Sequence, residues 1–95
     1  MDGFVVVFPS SWGDNCFLVT PTRVGQRWDG KYPWARATYV ATAFPTQDAA
    51  QAALNQMKSI HAYIAPECNG GLFKRLTQAQ VVPVGQVTGI EIETI

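Results

Sequence analysis

The stretch from Trp34 to Ile64 most limits what this chain can fold into, because a strand pattern turns there directly into an amphipathic helix pattern. Small and apolar residues recur at helical spacing on one side of the segment, at Ala50, Ala53, Leu54, Met57, Ile60, His61 and Ile64. Thr46 stands where an N-cap hydroxyl is needed, and Asp48 places a carboxylate in the first turn. Pro66 and Asn69-Gly70-Gly71 supply the stop signals. The pattern predicts one helix with a buried, alanine-rich face that lies on a sheet.

Strand patterns surround this helix. Phe4 to Phe8 and Cys16 to Thr20 predict an antiparallel hairpin, with Trp12 exposed in its loop. Trp34 to Phe44 predicts a third strand, whose alanine face (Ala35, Ala37, Ala41 and Ala43) we expect under the helix. Gln78 to Val84 and Val87 to Ile95 predict two further strands.

Two segments leave alternatives open. Thr22 to Pro33 contains the turn signal Asp29-Gly30 and is either an irregular loop or a poorly regular hairpin. Leu72 to Leu76 is either a short helical turn or an extended link. Pro83 lies inside a predicted strand, and it predicts an edge position or a bulge there.

The resulting order is β-β-β-α-β-β. It predicts an α+β fold, in which an antiparallel sheet of four to five strands carries one amphipathic helix on one face. The 95 residues contain no repeat, no low-complexity tract and no linker, so residues 1–95 are predicted to form a single domain.

Charge balance limits the classes of partner. Seven basic and seven acidic side chains give a formal net charge of zero. Binding that depends on phosphate neutralisation requires an excess of Lys and Arg, and mimicry of DNA requires an excess of Asp and Glu. Direct nucleic-acid binding is therefore disfavoured, although a local basic patch is compatible with the balance.

Cysteine and hydropathy patterns bear on the compartment. Cys16 and Cys68 are too few for a zinc site of the usual spacing. The N-terminal apolar run lacks the basic residues and the length of a signal peptide, and no apolar run is long enough to span a bilayer. These features predict a cytoplasmic protein with free thiols and without membrane contact, and a disulfide between Cys16 and Cys68 is the alternative if their segments meet.

Catalytic patterns are weak. His61 lies on or beside the apolar helix face, where a partly buried structural role is the more common interpretation. Cys16 with His61 is conceivable as nucleophile and base, but Cys16 lies in a strand interior. Glu91 and Glu93 alternate with isoleucines and are interpreted as a solvated strand face. No nucleotide-binding or nucleophile-elbow motif is present. The sequence predicts no catalytic residue, no metal site and no cofactor.

Aromatic and basic residues are concentrated in the predicted loops. Trp, Tyr and Arg dominate binding hot spots, because they bury large areas at low entropic cost and still offer a polar group. The alternative is that the tryptophans close the ends of a small sheet. The predicted partner-binding residues are Trp12, Arg23, Arg27, Trp28, Tyr32, Trp34, Lys74 and Arg75.

Two segments carry a resemblance. ATAFPTQDAAQAAL at residues 41–54 and AQVVPV at residues 79–84 resemble segments of short proteins of bacteriophages and other mobile elements, and together they cover about a fifth of the chain. The resemblance implies an accessory role in a host cell, such as the stoichiometric binding of a host protein or ribonucleoprotein complex by anti-CRISPR proteins. It assigns no functional residue.

Three hypotheses follow. The first is a non-enzymatic inhibitor or adaptor that binds a host protein complex through the Trp12 and Arg27 to Trp34 loops. The second is a small-ligand protein or minor enzyme with a pocket between helix and loop, to which Cys16, His61 or Glu67 contributes. The third is an oligomeric virion component, with a homodimer among the possibilities, that pairs through the edge at Gln78 to Val84.

Overall fold

A computed structural model describes residues 2–24, 34–61 and 71–94. The elements in these ranges are β1 (Phe4–Pro9), β2 (Asn15–Val19), β3 (Ala35–Ala37), β4 (Val40–Ala43), α1 (Gln47–His61), α2 (Leu72–Leu76), β5 (Gln80–Pro83) and β6 (Glu91–Thr94). Short 3-10 turns at Pro21–Val24 and Val84–Gln86 follow β2 and β5. The chain has the predicted α+β fold.

Four strands form an antiparallel sheet in the order β3-β2-β1-β5. β1 and β2 make the predicted hairpin, with Phe8 opposite Cys16. β5 lies at the edge of this sheet and pairs only with β1 among the strands described. The edge position predicted from Pro83 is therefore confirmed.

The predicted third strand is in fact two strands. A bend at Thr38 and Tyr39 separates β3, which pairs with β2, from β4, which pairs in parallel with β6. All four residues of β4 are buried, so this strand runs between layers and has no solvated face. This explains why the segment lacks clean alternation, since a strand covered on both faces gives a continuous small and apolar run.

Three layers result. One face of the main sheet, with Val6, Phe8, Cys16 and Leu18, forms a cluster with the helices. The other face, with Val5 and Phe17, packs against the β4–β6 sheet.

The predicted role of the strand alanines is therefore wrong. Ala41 and Ala43 belong to the cluster of the β4–β6 layer, and Ala35 and Ala37 cluster with Val19 and Val40. The helix instead packs on β1 and β5 on the other face of the main sheet, because the break at Tyr39 turns β4 onto the opposite face.

Helix α1 begins as predicted. The Ala49 amide donates to Thr46 Oγ1 at 3.1 Å, which is the capping bond that the sequence indicated. Ala50, Ala53, Leu54 and Met57 are buried in the helix-side cluster. The predicted continuation to Ile64 and the stop signals from Pro66 to Gly70 lie outside the described residues. Leu72–Leu76 takes the helical alternative as α2.

Phe44 closes the helix-side layer next to the start of β1. Its amide and carbonyl both pair with Phe4, at 2.7 and 2.9 Å. Gly3 lies beside this bridge with φ of 124°, and a Cβ there would come within 2.9 Å of the Phe44 carbonyl oxygen. The bridge thus requires a glycine at position 3.

We expect Gly3→Ala to lower the free energy of unfolding by about 1–3 kcal/mol, because it adds backbone strain and a steric clash. Gly85→Ala is the matched control, since no atom lies within 4 Å of a Cβ added there and its φ is not positive. Urea unfolding of both variants measures the difference. Equal stability of the two variants would contradict the described bridge.

Candidate protein-binding site

Trp12 lies in the turn between β1 and β2 and is 89% exposed. The backbone of this turn is well fixed. Ser10 Oγ accepts hydrogen bonds from the amides of Trp12 and Asp14, each at 3.1 Å. The Ser10 amide donates to the Asp14 carbonyl at 2.8 Å, and the Gly13 amide donates to the Ser10 carbonyl. Ser10 itself is buried, so the turn is anchored to the body of the protein. A large aromatic ring is thus exposed on an ordered backbone.

Helix α2 adjoins this turn. Leu72 and Leu76 fix it in the helix-side core. Arg75 donates from Nη1 to the carbonyl oxygen of Pro9, the last residue of β1, at 3.4 Å. On the outside of α2, Lys74 is exposed and Phe73 is 38% exposed. The helix therefore places the Arg75 guanidinium at the turn end of β1, with Phe73 and Lys74 exposed on the same helix.

Arg36 adds positive charge on the same side. It pairs with Leu18 across β2 and β3, so its side chain lies on the helix-side face of the sheet. The charges of Arg36 and Arg75 both reach Cys16, the second residue of β2, just after the turn. We define the hairpin surface as Trp12, Arg36, Phe73, Lys74 and Arg75. Asp14 supplies one nearby negative charge.

Arg23 has a different setting. It forms ion pairs with Glu91 and, from Nε to Oε2 at 3.3 Å, with Glu93. Thr20 Oγ1 also donates to Glu93 at 3.2 Å. Arg23 thus ties the end of β2 to β6 and is not part of the hairpin surface. The interpretation of both glutamates as a solvated face holds only in part, because Glu93 is half-buried and engaged.

Trp34 has a structural role, which was the alternative to partner binding for the tryptophans. Its indole Nε1 donates to Gln56 on α1 at 2.9 Å, and its ring meets Phe44 edge-on with centroids 5.0 Å apart. The half-buried ring packs against the helix-side cluster. Trp34 therefore joins β3 to the helix layer and is poorly placed to act as a free contact residue.

Three predicted residues, Arg27, Trp28 and Tyr32, lie outside the described residues. So do Glu67, Cys68 and the side chain of His61. Of the five predicted residues that the structure describes, Trp12 lies in the hairpin turn, and Lys74 and Arg75 lie on α2, which contacts the end of β1 through Arg75. Arg23 and Trp34 lie elsewhere.

Sequence reasoning missed Arg36 and left Phe73 out of the predicted site. The sequence pattern of β3 identified Arg36 only as a strand residue. The residues that lie near Arg36 in space are set by the pairing of β3 with β2, which the local sequence does not show. Phe73 next to Lys74 and Arg75 was a usable signal, because an aromatic beside two basic residues in a short helical turn is typical of a contact surface.

Cys16 lies under the hairpin surface. Burial raises the pKa of its thiol, although the charges of Arg36 and Arg75 oppose this rise. A buried thiol with a raised pKa is protonated at neutral pH and is a poor nucleophile.

Within the described ranges, no three His, Cys, Asp or Glu side chains are grouped so that they could hold a metal ion. None of the helices in these ranges combines the length and apolarity needed to cross a membrane.

In a Cys68→Ser background, we expect Cys16 of the folded protein to resist iodoacetamide at neutral pH and to react once urea unfolds the chain. The raised folded-state pKa also sets the sign of a pH effect. Stability is retained below the pKa of the unfolded thiol and falls as the pH rises from there through the folded pKa. Fast alkylation of the native protein would contradict the burial of Cys16.

Comparison with protein-family models, curated proteins and solved structures finds no match for this chain.

Proposed function

We propose that this protein is a non-enzymatic inhibitor or adaptor that binds another protein stoichiometrically through the hairpin surface. The observation that carries the proposal is Trp12, a tryptophan 89% exposed on a turn fixed by hydrogen bonds to Ser10. An exposed indole adds nothing to the core of the protein. It can bury a large area in a partner pocket and contribute strongly to affinity.

The order of the turn supports this role. Association costs free energy for every flexible loop and side chain that it immobilises. In the turn, the backbone from Ser10 to Asp14 is already held by four hydrogen bonds. The cost of ordering the backbone of this turn is therefore met by folding.

Charge around the indole supports a protein partner with an acidic rim. Arg75 reaches the end of β1 next to the turn, Lys74 is exposed on the same helix, and Arg36 lies on the helix-side face of β3, while Asp14 is the acidic residue of the turn itself. Such a surface complements an apolar pocket bordered by Asp and Glu, which would speed association and fix orientation. A nucleic-acid ligand is less favoured, because the whole chain has a formal charge of zero and gives little long-range attraction to phosphates.

The resemblance of residues 41–54 and 79–84 to phage and mobile-element proteins makes a host defence complex the partner that we propose. In this account the protein acts in the host cytoplasm as an anti-defence, anti-CRISPR-like inhibitor. The predicted contacts of Arg27, Trp28 and Tyr32 are retained as an extension of the proposal.

The test is site-specific photo-cross-linking in host lysate. Benzoylphenylalanine replaces Trp12 in one sample and Tyr39 in the control, since Tyr39 is also exposed, at 59%, but lies at the bend between β3 and β4. We expect position 12 to give one dominant protein adduct that position 39 does not give. Identical adduct patterns, or adducts with nucleic acid alone, would refute the proposed surface.

A further inference from the structure

β6 is the outer strand of the two-stranded β4–β6 sheet. Among the described residues, β4 is its partner on one side and no strand pairs with it on the other. The pairing is parallel, with Val40 opposite Glu91 and Thr42 opposite Glu93. The Glu91 amide donates to the Tyr39 carbonyl at 3.0 Å.

This register fixes which backbone groups face outward. In a parallel pair, every second residue of a strand directs both its N–H and its C=O to the same neighbour. Because Glu91 bonds to β4, Glu93 does so too. The N–H and C=O groups of Ile92 and Thr94 therefore point away from β4, along the outer edge of β6.

Such an edge can accept another strand. Parallel strands usually lie inside larger, covered sheets, and an uncapped edge is a template for pairing with a further chain. Ile90 and Ile92 are only half-buried and border the cluster between the two sheets. An added strand would pair the outward backbone groups and cover part of this apolar surface.

The edge at β5 is less suitable. Phe4 uses its own N–H and C=O for Phe44, so Phe4 and Pro83 are a pair without mutual hydrogen bonds. The alternation that follows turns Val81 outward, together with Pro83, which has no N–H. Proline thus blunts this edge.

Charge selects the occupant of the β6 edge. Glu91 and Glu93 flank Ile92 on the opposite face of the strand, and Arg23 is the one guanidinium that contacts both carboxylates in the described part of the chain. A second copy paired antiparallel about Ile92 would place Glu91 opposite the partner copy's Glu93, and like charges directly opposite are destabilising. Lysine or arginine at those positions would be stabilising.

We propose that the outer edge of β6 binds an extended segment of another protein in which basic and apolar residues alternate. Its basic side chains lie opposite Glu91 and Glu93, and an apolar side chain lies opposite Ile92. This site is distinct from the hairpin surface and does not depend on the function proposed for that surface.

The experiment is amide hydrogen exchange by NMR on the full chain. Without ligand, the outward amides of Ile92 and Thr94 exchange faster than those of Glu91 and Glu93. The probe is a short peptide of alternating lysine and valine, at concentrations up to about 1 mM, which detects weak binding. Exchange at Ile92 and Thr94 is expected to slow roughly twofold when the peptide equals its dissociation constant, since half the edges are then covered. The matched control peptide replaces lysine with glutamate.

Thr94→Pro removes the outward N–H of residue 94, which makes no hydrogen bond to β4. Thr94→Val retains this N–H. We expect the proline variant to lose the slowing at Ile92, the valine variant to retain it, and both to keep the protected amide of Glu93. No slowing with the lysine peptide, equal slowing with the glutamate peptide, or concentration-dependent protection without any peptide would each overturn the proposal.

Discussion

Phe44→Ala is expected to lower the free energy of unfolding by about 3–5 kcal/mol, the usual cost of emptying a buried phenylalanine site. Phe44 is 2% exposed and belongs to the helix-side cluster. Its ring supports Trp34, which in turn bonds to Gln56 on α1. Truncation would therefore leave a cavity and loosen the contact between β3 and the helix.

Urea unfolding followed by circular dichroism measures this effect. Phe73→Ala is the matched control, because Phe73 is 38% exposed and we expect its loss to cost less than about 1 kcal/mol. If Phe44→Ala were as mild as the control, the three-layer arrangement would be wrong at its central contact.

Trp12→Ala is expected to weaken binding to the proposed partner by about 2 kcal/mol or more, which is roughly a thirtyfold rise in dissociation constant. The same change should alter the free energy of unfolding by no more than about 0.5 kcal/mol, because the indole lies in solvent. Substitution of Trp12 is thus expected to lower affinity without lowering stability, whereas substitution of Phe44 lowers stability.

Isothermal titration calorimetry gives the affinity of each variant for the purified partner that the cross-linking experiment identifies. Tyr39→Ala removes another exposed aromatic ring and is expected to bind like the unaltered protein. Equal losses of affinity in the two variants would indicate nonspecific hydrophobic binding by exposed aromatic residues. Unchanged affinity of the Trp12→Ala variant would exclude Trp12 as a hot spot.

Local signals predicted much of this fold. The hydroxyl of Thr46, the hairpin around Trp12 and the edge position of Pro83 each depend on a few neighbouring residues, and each is confirmed. Helical spacing likewise identified the buried face of α1, from Ala50 to Met57. These features are set by backbone propensity and periodicity, which a single sequence displays directly.

Nonlocal pairing limited the rest. The alanines of β3 and β4 pack away from α1 because the chain changes sheets at Tyr39, and small residues fit either layer equally well. The ion pairs of Arg23 join β6 to the end of β2, which lie far apart in sequence. Composition therefore identified candidate contact residues but could not separate Trp12, in solvent, from Trp34, which is half-buried and packed against the helix-side cluster.

Binding through the hairpin surface requires Trp12 to be exposed in the free protein and buried in the complex. Fluorine NMR of the protein labelled with 5-fluorotryptophan tests it most directly, with the signal of position 12 assigned by Trp12→Phe. We expect a solvent isotope shift between H₂O and D₂O for Trp12 in the free chain that disappears when the partner binds, while the signal of Trp34 changes little. A Trp12 signal that keeps its isotope shift in the complex, or lacks one in the free chain, would rule out Trp12 as the buried contact.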